Sequence, residues 1–137
     1  MRRVKQRRKW ECGLAAAAIL TGARYDLLRN RSGKPRRWWA QSKRRRGWEA
    51  SLTVCLVERH SRLEMADALD SKTLRPLQRQ VPALIVLPSR NIKQGRRIVW
   101  HAIVWTGHRV LDPTAARRRY RTRWAVERRA RWTIEFE

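Results

Sequence analysis

The residue best suited to covalent chemistry in this chain is Cys12, which precedes Gly13 and an alanine-rich run that reaches Leu20. High helix propensity across this run predicts an α-helix that begins at the cysteine. The positive end of a helix dipole and the backbone N–H groups of the first turn favour the thiolate form of a thiol placed there. Cys12 is therefore a candidate nucleophile, with a buried structural thiol as the alternative. The second cysteine, Cys55, lies in an apolar stretch and is interpreted as a core residue.

A thiolate nucleophile needs a general base, and a third group has to orient that base. A β-rich run covers Ile98 to Trp105, a second covers Arg109 to Asp112, and together they predict a hairpin in which His101 begins one strand and Asp112 ends the other. If Gly107 and His108 form a two-residue loop, Ile103 faces Asp112, and His101 lies diagonal to the carboxylate on the same face. Diagonal neighbours are about 7–8 Å apart at the backbone, which allows an imidazole and a carboxylate to hydrogen-bond. A core histidine and an ordinary turn aspartate are the alternatives.

The elements that must position these groups follow from propensity and turn residues. Gly22 is expected to end the Cys12 helix, and a turn signal with a charge run predicts a loop over residues 30–46. The other predicted elements are a short helix at 25–29, a helix from Trp48 to about His60, a short helical turn at 72–80, a strand between Pro82 and Pro88, a helix at 117–131 and an edge strand at 132–136. For the segment after Trp48 a strand is the alternative, because Leu52, Val54 and Leu56 also alternate. Helices that precede a run of strands predict the α+β class.

The length and apolar content of the chain indicate one packed domain. The 137 residues leave little room for two domains, and 42% apolar residues with eight tryptophans are enough to build a core. We therefore expect a single domain over residues 1–137 with a basic C-terminal extension over about 115–137. His108 is expected to face solvent at the hairpin turn, and His60 has no evident partner in the sequence.

The charge of the chain restricts its partners. Lysine and arginine number 34 against 11 acidic residues, which gives a net charge of +23, and 28 of the 34 cations are arginine. Arginine binds phosphate or carboxylate through two parallel hydrogen bonds, so this surface will attract nucleic acid, acidic proteins and anionic lipid. A composition bias towards arginine that merely solvates the surface is the alternative.

Tryptophans among the arginine clusters add to the nucleic-acid hypothesis. Trp38, Trp39, Trp124 and Trp132 lie in such clusters, and interleaved cations and aromatic rings can grip phosphates and stack bases. The opposing interpretation is that these rings fill the core while arginine stems cover them. The sequence contains no recognisable helix-turn-helix, zinc-finger or RNA-binding signature.

Several other classes of protein are disfavoured by composition. The longest uncharged run, Cys12 to Ala23, is too short to span a bilayer, so no membrane span is expected. Two cysteines without a Cys-x-x-Cys pair, and three scattered histidines, predict neither a zinc site nor a disulfide scaffold. We therefore expect free thiols in a reducing, cytoplasmic setting. The basic start and the apolar run also imitate a secretory signal, but the run is short and Glu11 stands at its entrance.

These residues together resemble a known family. Gln6, the segment Trp10-Glu11-Cys12-Gly13-Leu14-Ala15-Ala16-Ala17, His101 and Asp112-Pro113 are similar to papain-like cysteine peptidases of the bacteriocin-leader-processing type. The resemblance is strongest to the short stand-alone versions found in bacteria and phages. It extends from Gln6 to Pro113, with only a loose match over residues 30–79.

The resemblance implies a role for each matching residue and a papain-like α+β fold. Cys12 would be the nucleophile, and His101 would be the base that later protonates the leaving amine. Asp112 would orient His101, while the Gln6 side chain and the Cys12 backbone N–H would form the oxyanion hole. The implied activity is hydrolysis of a peptide or isopeptide bond in a peptide or protein substrate, with no metal or organic cofactor.

The chain departs from the transporter-linked members of that family because it contains no nucleotide-binding loop and no spanning segment, so a role in export is not implied. Acyl transfer to an amine would use the same three groups as hydrolysis. The alternative from a different class is a non-catalytic basic protein on a peptidase-like fold, which would bind nucleic acid or an acidic protein through its arginine clusters.

Overall fold

The computed structural model describes residues 1–8, 11–31, 48–70, 80–88, 100–114 and 130–137. They form an α+β arrangement of three helices and one five-stranded antiparallel sheet. In chain order the elements are α1 (Cys12–Thr21), α2 (Tyr25–Arg31), α3 (Trp48–His60), β1 (Met65–Asp70), β2 (Ala83–Pro88), β3 (Trp100–Trp105), β4 (Val110–Leu111) and β5 (Trp132–Phe136).

The central helix of the structure is α1, which packs against β3 on one side and against α3 and α2 on others. All residues from Cys12 to Leu20 are buried, as expected for a helix that is apolar around its whole circumference. Its small alanines allow close approach to the sheet. The buried Thr53 hydroxyl of α3 donates to the Gly13 carbonyl at 2.9 Å and ties the two helices together near the start of α1.

Gly22 ends α1 as predicted. Its φ of 71° lies in the left-handed region, and its N–H donates to the Ala18 carbonyl at 3.0 Å. The second helix also forms where it was predicted, but it extends to Arg31. Residues 30 and 31, which were predicted to belong to the loop over residues 30–46, are therefore helical. The remainder of that loop lies outside the described residues, as do Trp38 and Trp39.

The strands lie in the order β1-β5-β2-β3-β4, so β1 and β4 are the two edges. Alternate residues of the inner strands pack on opposite faces. The face covered by α1 contains Leu84, Val86, Ala102, Val104, Ile134 and Phe136. The opposite face is buried as well, in a second cluster of Ala83, Ile85, Leu87, Ile103, Trp105 and Ala130. Burial on both faces explains why β2 is an unbroken apolar run.

The hairpin of β3 and β4 has the predicted register. Val104 lies opposite Leu111 and Trp105 opposite Val110, and the Thr106 N–H donates to the Arg109 carbonyl at 3.0 Å. The side chain of His108 is exposed at the turn, as expected.

The prediction of an edge strand at 132–136 was wrong, because β5 pairs with β1 on one side and with β2 on the other. Its alternating polar residues suggested an exposed face, but Thr133 and Glu135 are buried. The end of the expected C-terminal extension therefore forms an inner strand of the sheet. The predicted helix at 117–131 and Trp124 lie outside the described residues, except that Ala130 and Arg131 are described and are not helical.

The tryptophans that the structure describes with their side chains contribute to packing. Trp105 is buried in the second cluster, and the rings of Trp100 and Trp132 meet with their centroids 4.6 Å apart. Both rings are half-buried and pack against the cluster on the face of the sheet that α1 covers. For Trp132 this favours the core interpretation over base stacking.

Gly107 is the position at which the hairpin tolerates no side chain. Its φ is 97°, and a Cβ there would lie 2.9 Å from the Gln80 carbonyl oxygen. We expect Gly107→Ala to lower the free energy of unfolding by about 2–4 kcal/mol, because backbone strain and the clash add. Gly22→Ala is the matched control, since it has a similar φ but open space around it, and should cost only about 1 kcal/mol. Urea denaturation checks both values, and equal losses would contradict the clash.

Candidate functional site

The candidate site is built at the end of the sheet where β3 begins and β4 has ended. There the N-terminal segment, residues 1–8, runs beside the chain that follows β4. The Gln6 N–H donates to the Pro113 carbonyl at 2.8 Å, and the Arg3 guanidinium donates to the carbonyls of Asp112 and Thr114 at 2.7 and 2.5 Å. These three bonds fix Gln6 next to the residue that follows Asp112.

His101 and Asp112 lie together at this end of the sheet, as the hairpin register predicts. The His101 Nε2 atom is 2.8 Å from the Asp112 Oδ1 atom. The Asp112 side chain is fully buried, and the His101 side chain is 12% exposed. The pair is therefore largely shielded from water.

Asp112 is held by a third residue, Thr114. The Oδ1 atom of Asp112 accepts from the Thr114 hydroxyl at 2.6 Å and from the Thr114 N–H at 2.9 Å. The same hydroxyl oxygen lies 3.2 Å from the His101 Nε2 atom. Thr114 thus contacts both members of the pair and restricts the orientation of each.

The carboxyl group of Asp112 remains ionised at all but very low pH. Burial by itself would raise its pKa, but the hydrogen bond and charge of His101, with the two hydrogen bonds from Thr114, lower the pKa to about 2. A buried carboxylate beside an imidazole orients the ring and stabilises its protonated form.

Cys12 is the first residue of α1 and is 2% exposed. It belongs to the cluster on the α1 face of the sheet. His101 pairs with Leu87 in the sheet and so has its side chain on the opposite face. The thiol and the imidazole consequently share no sheet face. The thiol and the imidazole can approach each other only around the end of the sheet, close to the N-terminal segment.

The Gln6 side chain lies beside the turn that leads into Cys12. Its Nε2 atom donates to the Arg8 carbonyl at 3.0 Å, and the same carbonyl accepts the Glu11 N–H at 3.1 Å. The Glu11 carbonyl in turn accepts the Ala15 N–H at 2.9 Å as the first bond of the helix. The primary amide therefore lies close to the backbone from which Cys12 projects.

A buried acid holds the same turn against α2. Glu11 is 4% exposed, accepts the Tyr25 hydroxyl at 2.5 Å and lies 3.5 Å from the Arg29 guanidinium. Burial, followed by the hydrogen bond to Glu11, raises the pKa of Tyr25, so the phenol stays protonated and donates. Arg7 covers the Tyr25 ring at 4.8 Å and pairs with Asp26. This network fixes Arg7, directly after Gln6, and Glu11, directly before Cys12.

Two other residues considered in the sequence, Cys55 and His60, lie in α3. Cys55 is half-buried in α3 instead of fully in the core, and both cysteines are free thiols. His60 is half-buried at the end of α3. Among the described residues, no group of three histidine, cysteine or acidic side chains could hold a metal ion. No helix in the described ranges combines the length and the apolar character needed to cross a membrane.

Sequence reasoning missed Thr114 and Arg3. The Asp-Pro-Thr order contained a signal for Thr114, because a hydroxyl two residues after an aspartate is well placed to donate to its carboxylate. Arg3 lies more than a hundred residues from its acceptors, so no local pattern could have indicated it.

The comparisons with known proteins add no relative. A scan against family models found no match, and neither a curated protein nor a solved structure matched the chain.

The lowered pKa of Asp112 predicts a pH dependence of stability. A carboxyl group whose pKa falls on folding stabilises the protein above its ordinary pKa of 3.8, and this contribution is lost as the pH falls towards 2. We expect the free energy of unfolding to drop by about 2 kcal/mol more in the wild type than in Asp112→Asn between about pH 5 and pH 2. Parallel pH profiles in denaturant titrations would show that Asp112 is not held in this way.

The hydroxyl of Thr114 is expected to account for part of the lowered Asp112 pKa. Thr114→Val keeps the shape and the backbone bond but removes the hydroxyl donor, so the pKa of Asp112 should rise above about 2. Thr114→Ser keeps the donor and serves as the matched control. A carboxyl NMR titration measures the pKa directly, and identical titrations of the two variants would exclude a hydrogen bond from this hydroxyl.

Proposed function

We propose that the protein is a thiol peptidase with a papain-like arrangement, in which Cys12, His101 and Asp112 cleave a peptide or isopeptide bond. The observation that carries the proposal is the buried His101–Asp112 pair, 2.8 Å apart, at the end of the sheet to which the N-terminal segment is bonded. Cys12, six residues beyond Gln6, begins the helix that packs on the strand of His101.

The pairing of His101 with the buried Asp112 carboxylate supports a role of the imidazole as a general base. Because the Nε2 atom of His101 faces Asp112, the Nδ1 atom is the one that takes a proton from Cys12 in the proposed reaction. Asp112 stabilises the imidazolium that results. In the proposed reaction the thiolate would reach this ring around the end of the sheet, where the N-terminal segment brings Gln6 to Pro113.

The proposed reaction is acyl transfer in two steps. The Cys12 Sγ atom attacks the carbonyl carbon of the scissile bond, and the amine leaves with the proton held by His101. Water then attacks the thioester, gives one proton to His101, and releases the acid and the free thiol. An amine in place of water would give transpeptidation with the same groups.

The developing oxyanion would be bound by the Gln6 amide and the Cys12 backbone N–H. The anchoring of the Gln6 Nε2 atom on the turn before Cys12 supports this assignment. Since that turn is fixed by the buried Glu11, the donors are held in place before substrate arrives. Removal of one such donor lowers kcat by about 10²–10³-fold in peptidases.

The reaction requires no metal or organic cofactor in this proposal, and a free thiol nucleophile suits the reducing cytoplasmic setting expected from the cysteine content. The competing proposal, a peptidase-like scaffold that binds nucleic acid or an acidic protein without turnover, has its support in the net charge of +23.

The proposal is tested with a panel of peptidyl vinyl sulfones and with peptides from a digested proteome. We expect covalent labelling at Cys12, located by mass spectrometry, and cleavage of a subset of the peptides. Cys12→Ala should abolish both, while the matched control Cys55→Ala should retain them. His101→Ala should reduce turnover by about 10³-fold or more.

Labelling that follows exposure, so that Cys55 reacts and Cys12 does not, would contradict the peptidase proposal. Circular dichroism of each variant verifies that the fold is retained. Activity that survives in Cys12→Ala would equally contradict it.

A further inference from the structure

One group of exposed acids among the described residues lies at the edge of the sheet away from the candidate site, where Arg59 and Arg62 are also exposed. Exposed acids gather at the β1 edge: Glu58, Glu64, Asp67 and Glu137. Backbone and side-chain bonds hold this group together, since Glu64 and Glu137 exchange backbone hydrogen bonds and the Glu58 carboxylate accepts the Met65 N–H at 3.4 Å. The β1 edge is the one furthest from His101 and Asp112.

The other edge is cationic. The N-terminal segment runs past β4 and carries five cations in its eight residues. Arg3 and Arg7 bind structural partners, whereas the side chains of Arg2 and Lys5 are exposed. Arg109, also exposed, donates to the Met1 carbonyl at 3.3 Å and extends the same positive stripe to the hairpin turn.

The described acids near this stripe are engaged elsewhere. Asp112 is buried against His101, Glu11 is buried against Tyr25 and Arg29, and Asp26 is paired with Arg7. The positive field beside the candidate site therefore has little compensating negative charge among the described residues. Such a field raises the local concentration of anionic ligands and weakens with added salt.

We propose that this edge, defined by Arg2, Lys5 and Arg109, binds an acidic segment of a peptide and delivers it to the site beside Asp112. The proposal rests on the proposed peptidase function for the fate of the peptide. A peptide is favoured over nucleic acid because Trp105 and the paired Trp100 and Trp132 pack in or against the core. Among the residues that the structure describes, the stripe therefore provides cations without an exposed tryptophan on which an unpaired base could stack.

The test measures binding in the Cys12→Ala background, so that no turnover takes place. The probes are a fluorescent Glu-rich peptide, its Glu→Gln counterpart and a single-stranded oligonucleotide of matched length, followed by fluorescence anisotropy at several salt concentrations. The edge variant is Arg2→Glu with Lys5→Glu. The matched control, Arg59→Glu with Arg62→Glu, changes the net charge equally at exposed positions that flank the acidic edge.

We expect the Glu-rich peptide to bind more tightly than its Gln counterpart and to lose about tenfold in affinity in the edge variant. The control variant should lose less than about threefold, because its charges lie beside β1, at the opposite edge of the five-stranded sheet, where salt screens them more strongly. Equal losses in both variants would mean that only the total charge matters and would overturn the proposal. The proposal would also be overturned if the oligonucleotide bound more tightly than the peptide and if the edge variant weakened oligonucleotide binding more than peptide binding.

Failure of this proposal is distinguishable from failure of the peptidase function. Binding is measured without the nucleophile, whereas the peptidase function is judged by labelling of Cys12 in the wild type. If an acidic peptide binds at this edge but Cys12 does not react, the assignment of the binding surface stands. Only the claim that the bound peptide is delivered to a reaction is then contradicted.

Discussion

The buried carboxylate of Asp112 is the group around which this end of the molecule is arranged. One of its oxygens accepts from the His101 ring, the Thr114 hydroxyl and the Thr114 N–H. Burying a charge is costly unless hydrogen bonds and an opposite charge offset the lost hydration. The three contacts supply that compensation, and the Asp112 carboxylate and the Thr114 hydroxyl also restrict the orientation of the imidazole.

The N-terminal segment gives this arrangement its connection to the first helix. Arg3 binds the carbonyls on either side of Pro113, and Gln6 binds the carbonyl of Pro113 itself. Further along the chain, the buried Glu11 fixes the turn before Cys12. These hydrogen bonds join two segments that are about a hundred residues apart in the sequence. Substitutions in the N-terminal segment should therefore alter the candidate site before they destabilise the core.

The sequence predicted the parts of the structure that local rules determine. The helix that begins at Cys12 followed from its alanines, and the contact of His101 with Asp112 followed from a two-residue turn that fixes the strand register. Gly22 acted as a helix terminator because its φ is positive.

The rest depended on tertiary context. The β1 strand, Met65–Asp70, escaped prediction because aspartate and alanine have low strand propensity and only pairing with β5 stabilises it. The inner position of β5 was missed because Thr133 and Glu135 are buried on the second face, which no alternation pattern distinguishes from exposure. The half-exposure of Cys55 likewise reflects how α3 packs on α1, which its apolar neighbours in sequence do not specify.

The most direct measurement of the central claim compares the two thiols within one molecule. Iodoacetamide alkylation followed by peptide mapping gives the rate at Cys12, which is buried, and at Cys55, which is half-buried. If a thiolate at Cys12 is stabilised by the His101 imidazolium, Cys12 reacts about tenfold faster than Cys55 near about pH 6, and His101→Ala removes the difference. A faster reaction at Cys55 at every pH, unchanged by His101→Ala, would contradict the account.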